Sequence, residues 1–159
     1  MERVMDKTKQ QLMAEMRYAI RLCQRTARFY RRIQSVGTFL GIIGGSAAIA
    51  ALSDHFPAWL SIAGGTLLSI AGASLIAIRP ADKAAPNELD AKRYQALIAK
   101  AVNMNVEQLT LALEEARQND APEIDALRNV AYNDIMKEIN REDQSIKLST
   151  SEKFLELLA

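Results

Sequence analysis

The sequence predicts an all-α membrane protein with a long basic N-terminal helix, a two-helix transmembrane hairpin and a C-terminal cytosolic helical bundle. Three observations carry that expectation. The chain holds two long runs without a charged side chain, its charges divide around those runs, and its remaining apolar residues recur at helical spacing with no convincing strand pattern. The boundaries follow as 1–34 for the basic helix, 35–78 for the hairpin with spans 35–53 and 58–78, and 79–159 for the cytosolic helices.

The net charge of +1 over 159 residues conceals the division. Residues 1–34 hold nine Lys/Arg against three acids, net +6, whereas residues 79–159 hold eleven basic and fifteen acidic side chains, net −4. Between them only Asp54 is charged. The uncharged runs Ser35–Ser53 and Phe56–Ile78 would rise roughly 28 and 34 Å as helices, enough to cross a hydrocarbon core of about 30 Å. The first lies too deep in the chain, behind a charged arm, for a usual signal peptide. A hairpin buried in a soluble protein is the competing expectation, yet the flanking segments are short cover for two helices apolar on every side.

In the arm, Leu12, Met16, Ile20, Cys23, Ala27 and Tyr30 form one helical face. Arg17, Arg21, Arg25, Arg28 and Arg32 form another, which either is a solvated positive-inside signal, meets anionic lipid headgroups, or lines the vestibule of an oligomer. Arg31 and Arg32 precede the first span and Arg79 and Lys83 follow the second, while the turn 53–57 has neither Lys nor Arg. The positive-inside rule therefore places both termini in the cytoplasm and the short turn outside. Trp59 and Phe56 fit an interfacial anchor, and His55 a solvated turn.

After the second span, Arg79-Pro80 is expected to stop the helix and 81–87 to form a linker, with Asn87 capping a helix from Glu88. Asn103–Asn105 offers either a break or a polar stripe, since Val106, Leu109, Leu113 and Ala116 continue the apolar pattern. Asp120-Ala121-Pro122-Glu123 reads as a capping box for the next helix, and Ser149–Glu152 as a cap for a last one.

GTFLGIIGG, residues 37–45, lacks the Lys and the strand context of a phosphate loop. Gly37, Gly41 and Gly45 instead share one helical stripe, and Ser61, Gly65, Ser69, Ala73 and Ala77 share another in the second span. Small residues at that spacing let membrane helices approach closely. The stripes are read as helix-packing and oligomerisation surfaces: both seal the hairpin, or one seals it while the other meets a neighbouring copy.

One His and one Cys supply neither a triad nor a zinc set, and the acids lie where solvated helix faces and caps are expected. No catalytic, cofactor or metal site is expected, and the chain reads as a non-enzyme. Cys23 is expected to pack in a reduced compartment.

The layout, together with RTARFYRRIQ (25–34), AKRYQALIAKA (91–101) and YNDIMKEI (132–139), resembles the SMODS and SLOG-associating two-transmembrane effector family, SLATT. That resemblance implies a pore-forming or membrane-disrupting effector of a bacterial anti-phage, abortive-infection system, triggered through its cytosolic helices by a sensor or nucleotide signal. The expected partners are membrane lipids, further copies of the chain and a sensor or signalling protein, without direct nucleic-acid binding. A non-conducting scaffold and a holin-like lysis protein remain the alternatives.

Overall fold

The computed structural model describes residues 7–50 and 57–159. Its helices are α1 (Lys9–Ala50), α2 (Ala58–Ile78), α3 (Pro80–Lys100), α4 (Val106–Gln118), α5 (Arg128–Glu138) and α6 (Thr150–Leu158), with no strand among the described residues. The readings placed on Asp54, His55 and Phe56 lie outside those residues. The chain divides into two units, one formed by residues up to Phe29 together with Lys83–Ala159, the other by Tyr30–Asp82.

The first unit is built on α1. Leu12, Met16 and Cys23 pack with Ala91 and Tyr94 of α3 and with Leu109, Leu113 and Ala116 of α4. A second cluster joins Leu22 to Leu127, Val130, Ala131 and Ala159, and so brings in α5 and the end of α6. The expected apolar face of the arm is thus one of two buried faces, and burial on both sides holds the small helices around a common strut.

The second unit is an antiparallel helix pair. Its two apolar segments are long enough to cross a membrane, and only 6% and 11% of their most apolar windows are buried. Phe39, Ile42, Ile49, Ile62, Ile70 and Ile76 all point outward.

Three local expectations fail for identifiable reasons. No helix boundary falls at 34/35, because α1 runs unbroken from Lys9 to Ala50. Ser35 Oγ donates to the Arg31 carbonyl at 3.0 Å within the continuous helix. The expected linker 81–87 is helical. Arg79 closes α2 with a left-handed backbone, φ 48°, its N–H bonding the Leu75 carbonyl, and Pro80 then opens α3 at once. Pro is well suited to a first helical position, and Pro86, one turn and a half later, removes a single bond from the ladder. Asn87 therefore caps nothing. It lies buried inside α3, donating Nδ2–H to the Lys83 carbonyl at 2.9 Å.

The third failure is the box at Asp120. Residues 121–124 are irregular, and helix resumes only at the 3₁₀ turn Asp125–Leu127. Asp120 is taken by a tertiary partner instead, the hydroxyl of Tyr94. Where no such competitor exists the expected cap forms, Ser149 with Glu152 opening α6, and Asn105 with Gln108 makes a capping box at the start of α4 that the sequence reading did not include.

Candidate functional site

The two small-residue stripes have different fates. Gly37 and Gly41 face α2, but across side chains: a Cβ on Gly37 would lie 2.6 Å from Leu75 Cδ2, and one on Gly41 3.8 Å from Leu68. Gly45 also looks toward Leu68, at 3.9 Å. The backbones themselves meet elsewhere. A Cβ on Gly44 would stand 2.7 Å from both the Gly64 carbonyl oxygen and the Leu68 nitrogen, and one on Gly64 would meet the Gly44 oxygen at 2.7 Å and Ala48 N at 2.8 Å. Glycine is required at this crossing because nothing larger than hydrogen fits between two main chains.

The strict i+4 series in the sequence does not contain either residue. The signal that could have found them is the pair of Gly-Gly dipeptides, Gly44-Gly45 and Gly64-Gly65, one in each span. The first glycine of each dipeptide lies in the seam.

The second stripe lies outside that seam. No atom comes within 4 Å of a Cβ built on Gly65, Ser61 is half-buried, and Ser69 and Ala73 are exposed. Along it the hydroxyls are satisfied by their own helix, Thr66 Oγ1 donating to the Ile62 carbonyl at 2.7 Å and Ser69 Oγ to the Gly65 carbonyl at 2.8 Å. What remains outward is a shallow, small-residue surface.

The arginine stripe is also divided. Arg25 forms a two-pronged pair with Asp134, Nε and a terminal nitrogen each 2.8 Å from a carboxylate oxygen, and its other terminal nitrogen donates to the Glu156 carbonyl. Both side chains are about five-sixths buried, at 15% and 16% exposed. Arg21 pairs with Glu138 at 2.7 Å near the surface. Arg28 and Arg32 engage neighbours as well. Arg17 stays exposed. Part of the stripe thus fastens α5 and α6 to α1, an intrachain role that helical spacing alone does not reveal.

The first unit also contains a polar cleft of about 460 Å³, bordered by Glu15, Tyr18, Tyr94, Asp120, Glu123 and Arg128. Burial raises the Asp120 carboxyl above its ordinary range even though the Tyr94 hydroxyl donates to it. Its second oxygen is buried without a hydrogen-bond partner among the described residues. Glu123 is raised too, by burial first and then by the nearby Asp120. Burial and the Asp120 contact push the Tyr94 hydroxyl far up. The arrangement biases two carboxyls toward holding protons. Among the described residues no group of three metal-ligating side chains comes together. Cys23 is buried, and burial with the surrounding acids pushes its thiol up to about 12, so it stays protonated and inert.

Asn133 is a further residue missed in the sequence. Its amide donates to the Ile146 carbonyl and accepts from the Ile146 N–H, both at 2.8 Å, pinning the segment between α5 and α6. No family model matches the chain, and neither a curated protein nor a solved structure matches it.

Proposed function

We propose that the chain is a self-associating membrane effector, anchored in a bacterial inner membrane by α2 and the second half of α1, that permeabilises the membrane when its cytosolic helices are triggered. The observation that carries this reading is the outward face of α2. Ser61, Gly65, Ser69 and Ala73 keep their close-packing spacing, yet the intrachain seam uses Gly64 and Ala71. A second close-packing face that the hairpin leaves uncovered fits the same face of another copy. The exposure of the apolar segments favours lipid around them over a soluble core. The resemblance to SLATT effectors supports both the anti-phage setting and a sensor or signalling protein as the trigger.

Crosslinking in native membranes, paired with a membrane-potential dye, tests the reading. Gly65→Leu and Ser69→Leu are expected to reduce crosslinked oligomers at least fivefold and to abolish depolarisation on triggering, with the monomer still folded. Oligomers that persist in both variants overturn it. A non-conducting scaffold is favoured by one observation, the internally satisfied hydroxyls of Thr66 and Ser69. On that reading oligomers form and the potential never changes.

A further inference from the structure

The ion pairs between α1 and α5 form a ladder that stops one rung early. Arg25 meets Asp134 and Arg21 meets Glu138, each a step of four residues along antiparallel helices. The next rung on α1 is Arg17, and its counterpart would be Glu142 if α5 continued. It does not continue, because Asn140 turns left-handed, φ 55°. The Asn140 N–H bonds the Lys137 carbonyl at 3.1 Å and the Arg141 N–H the Met136 carbonyl at 2.8 Å, a Schellman stop. No carboxylate among the described residues pairs with Arg17.

Beyond that stop lies an open groove of about 670 Å³. Its walls include Met13, Val102, Met136 and Ile139, and its only ionisable lining groups are Lys9 and Arg17. Val102 is 79% exposed and Ile139 45%, a high exposure for apolar residues that frame a concave surface. Along α1 the groove thus presents cation, apolar residue, cation at Lys9, Met13 and Arg17, in steps of four.

The same chain carries the complement. α4 buries Leu109, Leu113 and Ala116, and on its opposite side Glu107, Leu111 and Glu115 follow one another in steps of four. Leu111 is 67% exposed between the two acids. Acid, apolar residue, acid on one helix matches cation, apolar residue, cation on the other, and the two faces lie on different elements of one protomer.

We propose that the groove beside Arg17 docks α4 of a second copy, with Leu111 seated between Met13, Val102 and Ile139, and with Glu107 and Glu115 meeting Arg17 and Lys9, whose ammonium donates to the Val102 and Met104 carbonyls at 3.4 and 2.9 Å and keeps a third N–H for the incoming carboxylate. The contact joins two different surfaces and is therefore head-to-tail, so it propagates around a ring or along a filament instead of closing a pair. It rests on the reading that the chain self-associates in a membrane, and adds to it a cytosolic surface that orders the copies.

Two differently tagged copies of the full chain, one carrying Val102→Cys and the other Leu111→Cys, are co-expressed in membranes and oxidised. Cys23, buried and protonated, does not compete. The expected result is a mixed-tag disulfide dimer that disappears when Leu89→Cys, on exposed α3 surface, replaces Leu111→Cys. Adding Lys9→Glu with Arg17→Glu to the first copy is expected to reduce the dimer at least fivefold, and adding Glu107→Lys with Glu115→Lys to the second to restore it. A parallel sample carries Ala73→Cys on both copies. If Ala73→Cys crosslinks and the Val102/Leu111 pair does not, the docking surface is wrong while membrane self-association stands. If neither crosslinks, both fall.

Discussion

Gly44 and Gly65 look alike in the sequence, each one member of a Gly-Gly pair in an apolar helix, but they are opposites in the structure. At Gly44 a methyl group would press on the Gly64 carbonyl and the Leu68 nitrogen, main-chain atoms that cannot rotate away; at Gly65 it would meet open space. Gly44→Ala is therefore expected to lower the melting temperature of the hairpin in uncharged detergent, by about 1–3 kcal/mol of overpacking. Gly65→Ala is expected to leave it unchanged in dilute monomer. Equal effects at the two positions would show that the seam is misplaced. The sequence made small-residue packing legible, because spacing is visible in one dimension. Which glycine touches which main chain depends on how the second helix lies across the first, and no repeat within either span encodes that.

At the scale of elements, α5 is short and is bound to α1 by two ion pairs of different character. Arg25 and Asp134 are mostly shielded and doubly bonded, while Arg21 and Glu138 are 37% and 49% exposed. Arg25→Ala should destabilise the helical unit by about 2–3 kcal/mol, since it strips a shielded carboxylate of both its donors. Arg21→Ala should cost less than about 1 kcal/mol, the usual value for a solvated pair. Chemical denaturation of the purified protein followed by circular dichroism measures both, and a larger loss at Arg21 would contradict the geometry. The helices were legible as elements, down to the cap at Ser149. The failures at 81–87 and at Asp120 have different causes. At 81–87 Pro80 opens a helix instead of ending one, whereas at Asp120 the local signal is outbid by a partner far away in sequence, as Tyr94 claims Asp120 across 26 positions.

For the whole molecule the balance of titratable groups sets a direction with pH. Asp120 and Glu123 have folded-state values raised by burial. A raised acid holds its proton longer in the folded state, so its contribution to stability is complete below the unfolded value, about 4, and is lost as pH rises through the folded one. Glu15 behaves in the reverse sense. Burial opposes its charge, but Lys7 and Arg117 outweigh that and lower it, so its contribution is present above the unfolded value and fades only on further acidification. Glu123→Gln should change the melting temperature little below the unfolded value, raise it above the folded one and flatten the slope between them. A slope unchanged by the substitution would remove Glu123 from this role. None of this was legible in the sequence, where Glu123 reads as a solvated cap, because burial is a property of the assembled helices.

α2 has no ionisable side chain and is apolar on every side, so water and lipid give it no preferred rotation about its own axis. Its azimuth is clocked by shape alone, through the notch where Gly64 receives Gly44. A single added methyl in that notch would act like a turned set-screw, rotating Ser61, Gly65, Ser69 and Ala73 to a new bearing without altering one of them. Substitutions in the seam can thus re-aim a surface they never touch, and loss of assembly from Gly44 would report a helix facing the wrong way.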